Sequence, residues 1–373
     1  MTRVVFWLAA SLLAYTYACF PLLVLVRAAL RPRPHRRAPI TPRVSVLIAA
    51  RNEADVIGAK IENLLALDYP ADQLEIVLAS DGSEDDTVVR AGSRVHVLDL
   101  PRVGKAGALN AAASAAHGEV LVFTDANSML EPGAVRALVA PLADAEVGGV
   151  AGDQRYLLGR ESSGERGYWN LDRLLKRAES RGGNVISATG ALYAIRRELF
   201  RPPPAGVTDD FALSTGVICQ GRRLVFTPDA VAYEPVGAST DAEFARKVRV
   251  ITRGLNGVLL RRALLDPRRH GFYSLQLFSH KLLRRLMALP LIALGITGAR
   301  LARRGAVYRL VCSAEAAVLG LGASGLLLER RRRCGRLLAL PAYLLLVNLA
   351  SLRAAWNVVS GRGIESWEPR RAP

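Results

Sequence analysis

Three apolar stretches of the chain end in acidic clusters. "VSVLIAA" (Val44 to Ala50) runs into "RNEAD", "LEIVLAS" (Leu74 to Ser80) into "DGSEDDT", and "EVLVFTD" (Glu119 to Asp125) into "ANS". A single acid at such a point is accounted for by a helix N-cap, because Asp, Asn and Ser accept hydrogen bonds from the unpaired N–H groups of a first turn. Three in one small domain exceed what capping needs. Carboxylates gathered at strand ends can accept from hydroxyl and imide groups and can ligate a hard divalent cation. Their expected common task is to hold something polar and metal-chelating.

The elements that must position these acids read as strands and helices in alternation. The three stretches, together with "RVHVLDL" (Arg94 to Leu100), are too evenly apolar to have one wet face and read as central strands. Between them, "EADVIGAKIENLLALDYP" sets Val56, Ile61, Leu64 and Leu65 on one helical face, and "KAGALNAAASAA" is rich in helix-forming alanine. Strand–helix–strand repetition with short connections implies a parallel sheet with right-handed crossovers and helices on both faces. Ligands of such sheets sit outside the carboxyl ends of the strands, where the acids are. No repeat of fixed period is present.

With 373 residues and 51% hydrophobic content, the chain is long and apolar enough for one or two cores and for membrane segments. The net charge of +17 admits a nucleic-acid partner, an anionic membrane surface or a phosphorylated substrate. Many arginines flank apolar runs, as in "RAALRPRPHRR" (Arg27 to Arg37) and "ERRRRCGR" (Glu329 to Arg336), a juxtamembrane pattern that speaks against nucleic acid. Cys19, Cys219, Cys312 and Cys334 lack metal-ligand spacing and imply neither a zinc site nor a disulfide framework. Val4 to Leu30 is long enough to span a bilayer, and its continuation through Phe20 and Pro21 to an arginine cluster favours a retained anchor over a cleaved signal. Arg31, Arg33, Arg36 and Arg37 then leave the N-terminus outside and everything after Pro39 in the cytoplasm. Leu286 to Ala302, Val307 to Leu328 and Leu337 to Val359 are three further apolar runs, giving four expected spans; the first is short enough to lie in the interface instead. Arg309 and Glu315 inside the second of these can pair, line a polar cavity or, for Arg309, snorkel. The expected division is an anchor and basic linker (1–40), a catalytic domain (41–266) and a C-terminal membrane region (267–373).

The strand-end motifs, their order and the membrane anchors resemble the family-2 glycosyltransferases of the GT-A fold, whose members include cellulose, chitin and hyaluronan synthases and smaller bacterial relatives. The likeness runs from about Val44 to Leu260. It implies an α/β cytoplasmic domain, a Rossmann-like and mostly parallel sheet with helices on both faces, joined to α-helical transmembrane segments. By the same likeness "RNE" and "SDGS" grip a nucleotide, which makes Glu53 and Asp81 the partners of uracil and ribose, with the backbone from Ala49 through Ala50 to Arg51 beside them. The alternatives are a dipole-favoured first-turn acid for Glu53 and a turn-forming Asp before glycine for Asp81. Lys105 in "RVGKAGALN" matches a lysine near the nucleotide or its phosphates, or is a solvated loop lysine.

"DAN" stands where the family has D-x-D, so Asp125 is a metal or ribose ligand and Asn127 a neutral oxygen where many relatives carry a second carboxylate. Mg²⁺ or Mn²⁺ is the implied cofactor, held less tightly than by two acids unless substrate phosphates complete its shell. A helix cap is the competing role for Asn127. "SATGALYAIRRELF" resembles the acceptor-side segment, with Gly190 leaving room for a sugar. In "VTDDFALST" the acidic pair matches the family's base: Asp210 removes the acceptor hydroxyl's proton and Asp209 raises its proton affinity, unless both only cap a helix. Long-polymer synthases carry Q-x-x-R-W; here "RKVRVITRG" keeps Arg249 but has Arg246 and Val250 in the other two places, which weakens the case for processive synthesis. Arg246 and Arg249 approach the acceptor or diphosphate, or lie on anionic lipid. Trp367 is expected as an interfacial anchor.

The resulting expectation is an inverting, metal-dependent hexosyl- or N-acetylhexosaminyl-transferase in the inner (plasma) membrane, taking a UDP-sugar donor and a lipid-linked or glycan acceptor. A processive synthase and a catalytically silent nucleotide-binding scaffold are the alternatives.

Overall fold

The computed structural model describes residues 1–156, 163–204, 206–235, 240–330 and 336–362. Helix α1 (Thr2–Ala14), a π turn (Tyr15–Cys19) and α2 (Phe20–Leu30) form one 29-residue rod. The π turn stands just before Pro21, whose missing N–H cannot continue the i→i−4 ladder. The expected alternation follows: β1 (Val44–Ala50), α3 (Ala54–Leu65), β2 (Leu74–Asp81), α4 (Thr87–Ala91), β3 (His96–Leu100), α5 (Gly104–Ala115) and β4 (Val120–Phe123). Next come β5 (Met129–Leu130), α6 (Ala134–Val139), β6 (Val147–Tyr156), α7 (Ser163–Gly182), β7 (Tyr193–Arg196), α8 (Asp209–Cys219) and β8 (Arg223–Glu234). The last stretch is helical: α9 (Thr240–Leu260), α10 (Pro267–His270), α11 (Phe272–Gln276), α12 (Ala288–Leu301), α13 (Ala306–Arg330) and α14 (Arg336–Val359).

The strands form one sheet in the order β3-β2-β1-β4-β7-β6-β8-β5. The β3-β2-β1-β4 half and the β6-β8 pair are parallel, while β7 runs antiparallel to both neighbours and joins the halves. Because side chains alternate along a strand, β1 sends Val44, Val46 and Ile48 to one face against Ile57, Ile61 and Leu138, and Leu47 and Ala49 to the other against Ala108, Leu109 and Phe211. Both faces are thereby covered by helices, the mostly parallel α/β sheet that the alternation implied.

Two readings of the sequence need correction. β3 is an edge strand, not a central one, and its residues are half-exposed or exposed; an apolar run records that a strand is partly covered but not where it stands in the order. On α3 the buried face is Ile57, Lys60, Ile61 and Leu64, whereas Leu65 is exposed and Val56 is half-buried. The spacing of 3, 4 and 7 residues is helical as expected, but rotated so that a lysine points inward.

Among the described residues, three helices are long and apolar enough to cross a membrane: Thr2–Leu30, Ala306–Leu328 and Leu338–Val359. A fourth crossing exists only if Phe272–Leu286 and Ala288–Arg304, bent by 54° at the break between them, count as one broken span. The expected run from Leu286 is therefore the second limb of this bent pair. These helices are tied to the sheet domain. Phe20, Val24 and Ala28 of α2 pack on Leu175 and Ala178 of α7, and Val248, Ile251 and Leu255 of α9 on Ala350 and Ala354 of α14. Arg223, buried, donates to the carbonyl of Arg33 at 2.8 Å and so pins the basic linker to the domain. Arg309 is exposed and does not pair with Glu315, which lies against Gly295 of α12. Cys334 and Trp367 lie outside the described residues.

Helices α13 and α14 meet closely at Gly325, where a Cβ would stand 2.8 Å from Ala342 Cβ and from the carbonyl of Leu338. Overpacking of this kind costs about 1–3 kcal/mol. Gly325→Ala is expected to lower the thermal midpoint in detergent by about 2–10 °C. Gly320→Ala, with nothing within 4 Å of its Cβ, is expected to leave it unchanged.

Candidate active site

The loops after β1 and β2 are stitched to each other. Asn52, at a φ of 51°, accepts from the N–H of Glu84 at 2.8 Å, the N–H of Ala54 donates to Asp85 at 3.0 Å, and the N–H of Glu53 donates to Thr87 Oγ1 at 2.8 Å. This network sets Glu53, buried, at the wall of a cavity of about 1630 Å³ outside the strand ends. Small-molecule sites usually occupy about 300–1000 Å³, so the space holds more than one substrate.

Asp81 behaves differently from expectation. It is buried, stands back from the cavity wall, and its Oδ1 accepts from the N–H groups of Val103 at 2.6 Å and Gly104 at 2.8 Å. Those are the free donors at the start of α5, and the bonds fix the helix that carries Lys105. Ala50 and Arg51 also stay off the cavity wall, with Ala49 there instead; the Arg51 side chain turns to Glu84 at 3.7 Å.

Lys105 is the junction of the site. Its ammonium lies 2.8 Å from Asp125 and 3.3 Å from Asp209, so the turn after β4 and the first turn of α8 share one cation. Burial works against its charge, but Asp125 and Asp209 outweigh that and hold its pKa well above the ordinary lysine value. Asp210 is raised above an ordinary carboxylate, first by burial and then by Asp209, with Lys281 and Lys105 opposing. A carboxylate moved in this direction is a better proton acceptor. Tyr193, fully buried and within the influence of the three acids, stacks on Phe123 with centroids 4.7 Å apart and planes 7° apart.

The DAN turn rests on a group that the sequence reading missed. Lys60, fully buried, donates to Thr124 Oγ1 at 2.9 Å and to the carbonyl of Ser128, bracketing Asp125 and Asn127 from below. Burial pushes its pKa down to about 7, against the pull of Asp125 and Glu234. Glu234, at the end of β8, accepts from Ser128 Oγ at 2.8 Å and is raised by burial and by Asp125. It was findable, since it is another acid at a strand end. Lys60 carried a weaker signal: a lysine where the helical period calls for an apolar residue.

Asp125 Oδ2 faces Gly190, where a Cβ would come within 2.8 Å. Glycine therefore keeps open the space in front of that oxygen. Asn127 lines the same cavity. Among the described residues, no group of three or more His, Cys, Asp or Glu side chains could hold a metal alone. On α9, Arg246, Arg249 and Arg253 follow at spacings of 3 and 4 and line the cavity from one helix face. Arg246 is already bidentate with Glu243, at 2.7 and 2.8 Å. Arg253, near Asp209, was not anticipated.

Of the expected residues, Glu53, Lys105, Asp125, Asn127, Asp209 and Asp210 come together with Gly190, Arg246 and Arg249 around one cavity. Residues 45–202 match the family described as Glycosyl transferase family 2. The probable glycosyltransferase YdaM of Bacillus subtilis is 30% identical over 52% of this chain and 50% of its own length. The poly-beta-1,6-N-acetyl-D-glucosamine synthase of Staphylococcus aureus is 25% identical over 63% of this chain and 60% of its own length. The chain thus spans about half to three fifths of these relatives. Among solved structures, the mannosyltransferase PcManGT of Pyrobaculum calidifontis, in complex with GDP-Man and Mn²⁺, matches with a TM-score of 0.72 at 25% identity, over 97% of this chain and 100% of that one. Residues 45–202 thus match a family-2 glycosyltransferase domain, and the sheet domain that contains them has the GT-A fold.

Gly190→Ala is expected to lower turnover at least about tenfold, because the added methyl displaces the Asp125 carboxylate. The thermal midpoint should stay near wild type, which a melting curve run beside the activity assay checks.

Proposed function

We propose a membrane-anchored inverting transferase that moves a sugar from a UDP-sugar to a hydroxyl of a lipid-linked or glycan acceptor at the cytoplasmic face of the plasma membrane. One observation carries this reading: Lys105 bridges Asp125 and Asp209, at 2.8 and 3.3 Å, so a donor-side turn and an acidic pair suited to proton removal stand on either side of one cation. Arg31, Arg33, Arg36 and Arg37 beyond the first helix support a cytoplasmic catalytic domain. Uridine follows from the family resemblance; the structural match at 25% identity holds GDP-Man, so a guanosine donor belongs in the same screen.

In this proposal Glu53 and the backbone of Ala49, both on the cavity wall, serve the nucleoside, with Ala50 and Arg51 behind them and Asp81 fixing the start of α5. Asp125 and Asn127 suit a divalent ion whose remaining ligands come from substrate phosphates, because Asp125 Oδ2 faces space kept open by Gly190 and only one carboxylate is offered. When bound, Mg²⁺ or Mn²⁺ supplies charge neutralisation for the departing nucleoside diphosphate. Lys105 adds a fixed positive charge on the same side, and Arg246 and Arg249 face the space between donor and acceptor. Asp210 takes the proton of the acceptor hydroxyl as that oxygen attacks the anomeric carbon. Asp209 keeps the proton affinity of Asp210 high.

Asp210→Asn should lower transfer by about 10²-fold or more while nucleotide binding persists; full turnover in this variant would remove Asp210 from the role. The base must be ionised and its pKa is raised, so the rate should fall with falling pH along a limb above the usual aspartate range near 3.8. A pH–rate profile reads this directly.

The likeness to the Staphylococcus synthase favours a second reading, polymer synthesis. Val250 in place of a stacking tryptophan argues for single addition. A ladder of products on a gel would favour the polymer.

A further inference from the structure

Several of the cations that line the cavity are committed to carboxylates. Lys105 serves Asp125 and Asp209, Lys176 is 3.0 Å from Asp172, and Arg246 and Lys247 are 2.7 and 3.3 Å from Glu243. Lys281 is different. Among the described residues it makes no hydrogen bond or ion pair, and its ammonium stands 5.3 Å from the ring centroid of Phe211, the residue after Asp210. The charged groups that act most on it are Arg285, Asp210, Lys176 and Asp172, whereas those that act on Lys105 are Asp125, Asp209 and Asp210. Asp210 is therefore acted on by two cations, Lys105 and Lys281, that answer to different neighbours.

That second cation has neighbours built to meet an anion. Arg284 and Arg285 follow Lys281 at spacings of 3 and 4 and line the same cavity. Arg284 donates to His280 Nε2 at 3.0 Å, which leaves the histidine proton on Nδ1, donated to Glu179 Oε1 at 2.9 Å. Glu179 is buried and also accepts from the N–H of Ile186 at 3.0 Å. The chain Glu179–His280–Arg284 thus aims the guanidinium. The three cations sit where a π turn (Leu277–Leu282) gives way to a 3-10 turn (Leu283–Leu286), directly before the 54° bend that leads into α12. Leu340, Leu344 and Val347 of the apolar helix α14 line the same cavity. Cations beside a hydrocarbon wall match an amphiphile with an anionic head.

We propose that Lys281, Arg284 and Arg285 form a subsite for the phosphate of a lipid-borne glycosyl phosphate acceptor, with the acceptor's sugar hydroxyl directed at Asp210. The inference rests on the transferase reading above. In the transfer, a bond forms between the acceptor hydroxyl oxygen and the anomeric carbon as the bond from that carbon to the donor's diphosphate oxygen breaks. The proton goes to Asp210, the electron pair leaves with the nucleoside diphosphate, and the acceptor phosphate is a handle that does not react.

The test uses the full chain in detergent and three probes: decyl phosphate, inorganic phosphate and the uncharged decyl glucoside. Wild type should bind decyl phosphate at least about tenfold more tightly than either other probe. Lys281→Gln and Arg284→Gln should each erase that preference, and Lys281→Arg should restore it. Loss on Lys281→Gln assigns binding to this subsite and not to the diphosphate region beside Lys105; a thermal midpoint confirms folding, and the two variants sit on different partners. Equal binding of decyl phosphate and decyl glucoside would overturn the subsite. Equal binding of inorganic phosphate would overturn its lipid-borne occupant in favour of a soluble one. Donor turnover assayed in parallel separates the two readings: nucleotide release without a decyl phosphate preference sinks only the subsite, and a decyl phosphate preference with no release from any donor sinks only the transferase proposal.

Discussion

Everything in the site depends on one shared cation. Asp125, Asp209 and Asp210 bring three carboxyl groups into a partly dehydrated space, where like charges repel and where burial and Asp209 raise the proton affinity of Asp210. Lys105 lies within 3.3 Å of two of them and makes the cluster tolerable. Its position comes from backbone chemistry, because Asp81 caps the first turn of α5 and so fixes the residue that follows. The acid closest to the strand end thus acts through a helix. Lys60 holds the other side, supporting the DAN turn from inside the core.

The second constraint is the seam between the sheet domain and the apolar helices. α2 packs on α7, and α9 packs on α14, so the cavity has an acidic floor from strand ends and an apolar flank from a candidate membrane helix. This arrangement suits the proposed meeting of a soluble donor with an amphiphilic acceptor. The linker of arginines after α2 does not hang free in this arrangement; Arg223 holds its backbone against the domain.

Much of this was legible in the residues. Alternating strand and helix periods gave the sheet, and polar strand ends gave Glu53 and Asp125, because acids at three strand ends exceed what helix capping needs. Asp209 and Asp210 were located by family resemblance and appear at the head of α8 as expected. The edge position of β3 was not legible, since strand order is a long-range property that composition does not encode. Lys60 was not singled out, because its neighbours' period leaves one residue of freedom in the buried face. The use of Asp81 depended on where a loop 22 residues later folds back, and the cluster at Lys281 was hidden among arginines that read as membrane anchors.

The most direct test of the shared-cation account is the pH–rate profile of Lys105→Met against wild type. Removing the ammonium leaves Lys281 as the remaining cation acting against the rise of Asp210, so the acid limb should move to higher pH while the maximal rate falls. A limb that stays in place, with only the donor KM changed, would contradict the account and reduce Lys105 to a phosphate contact.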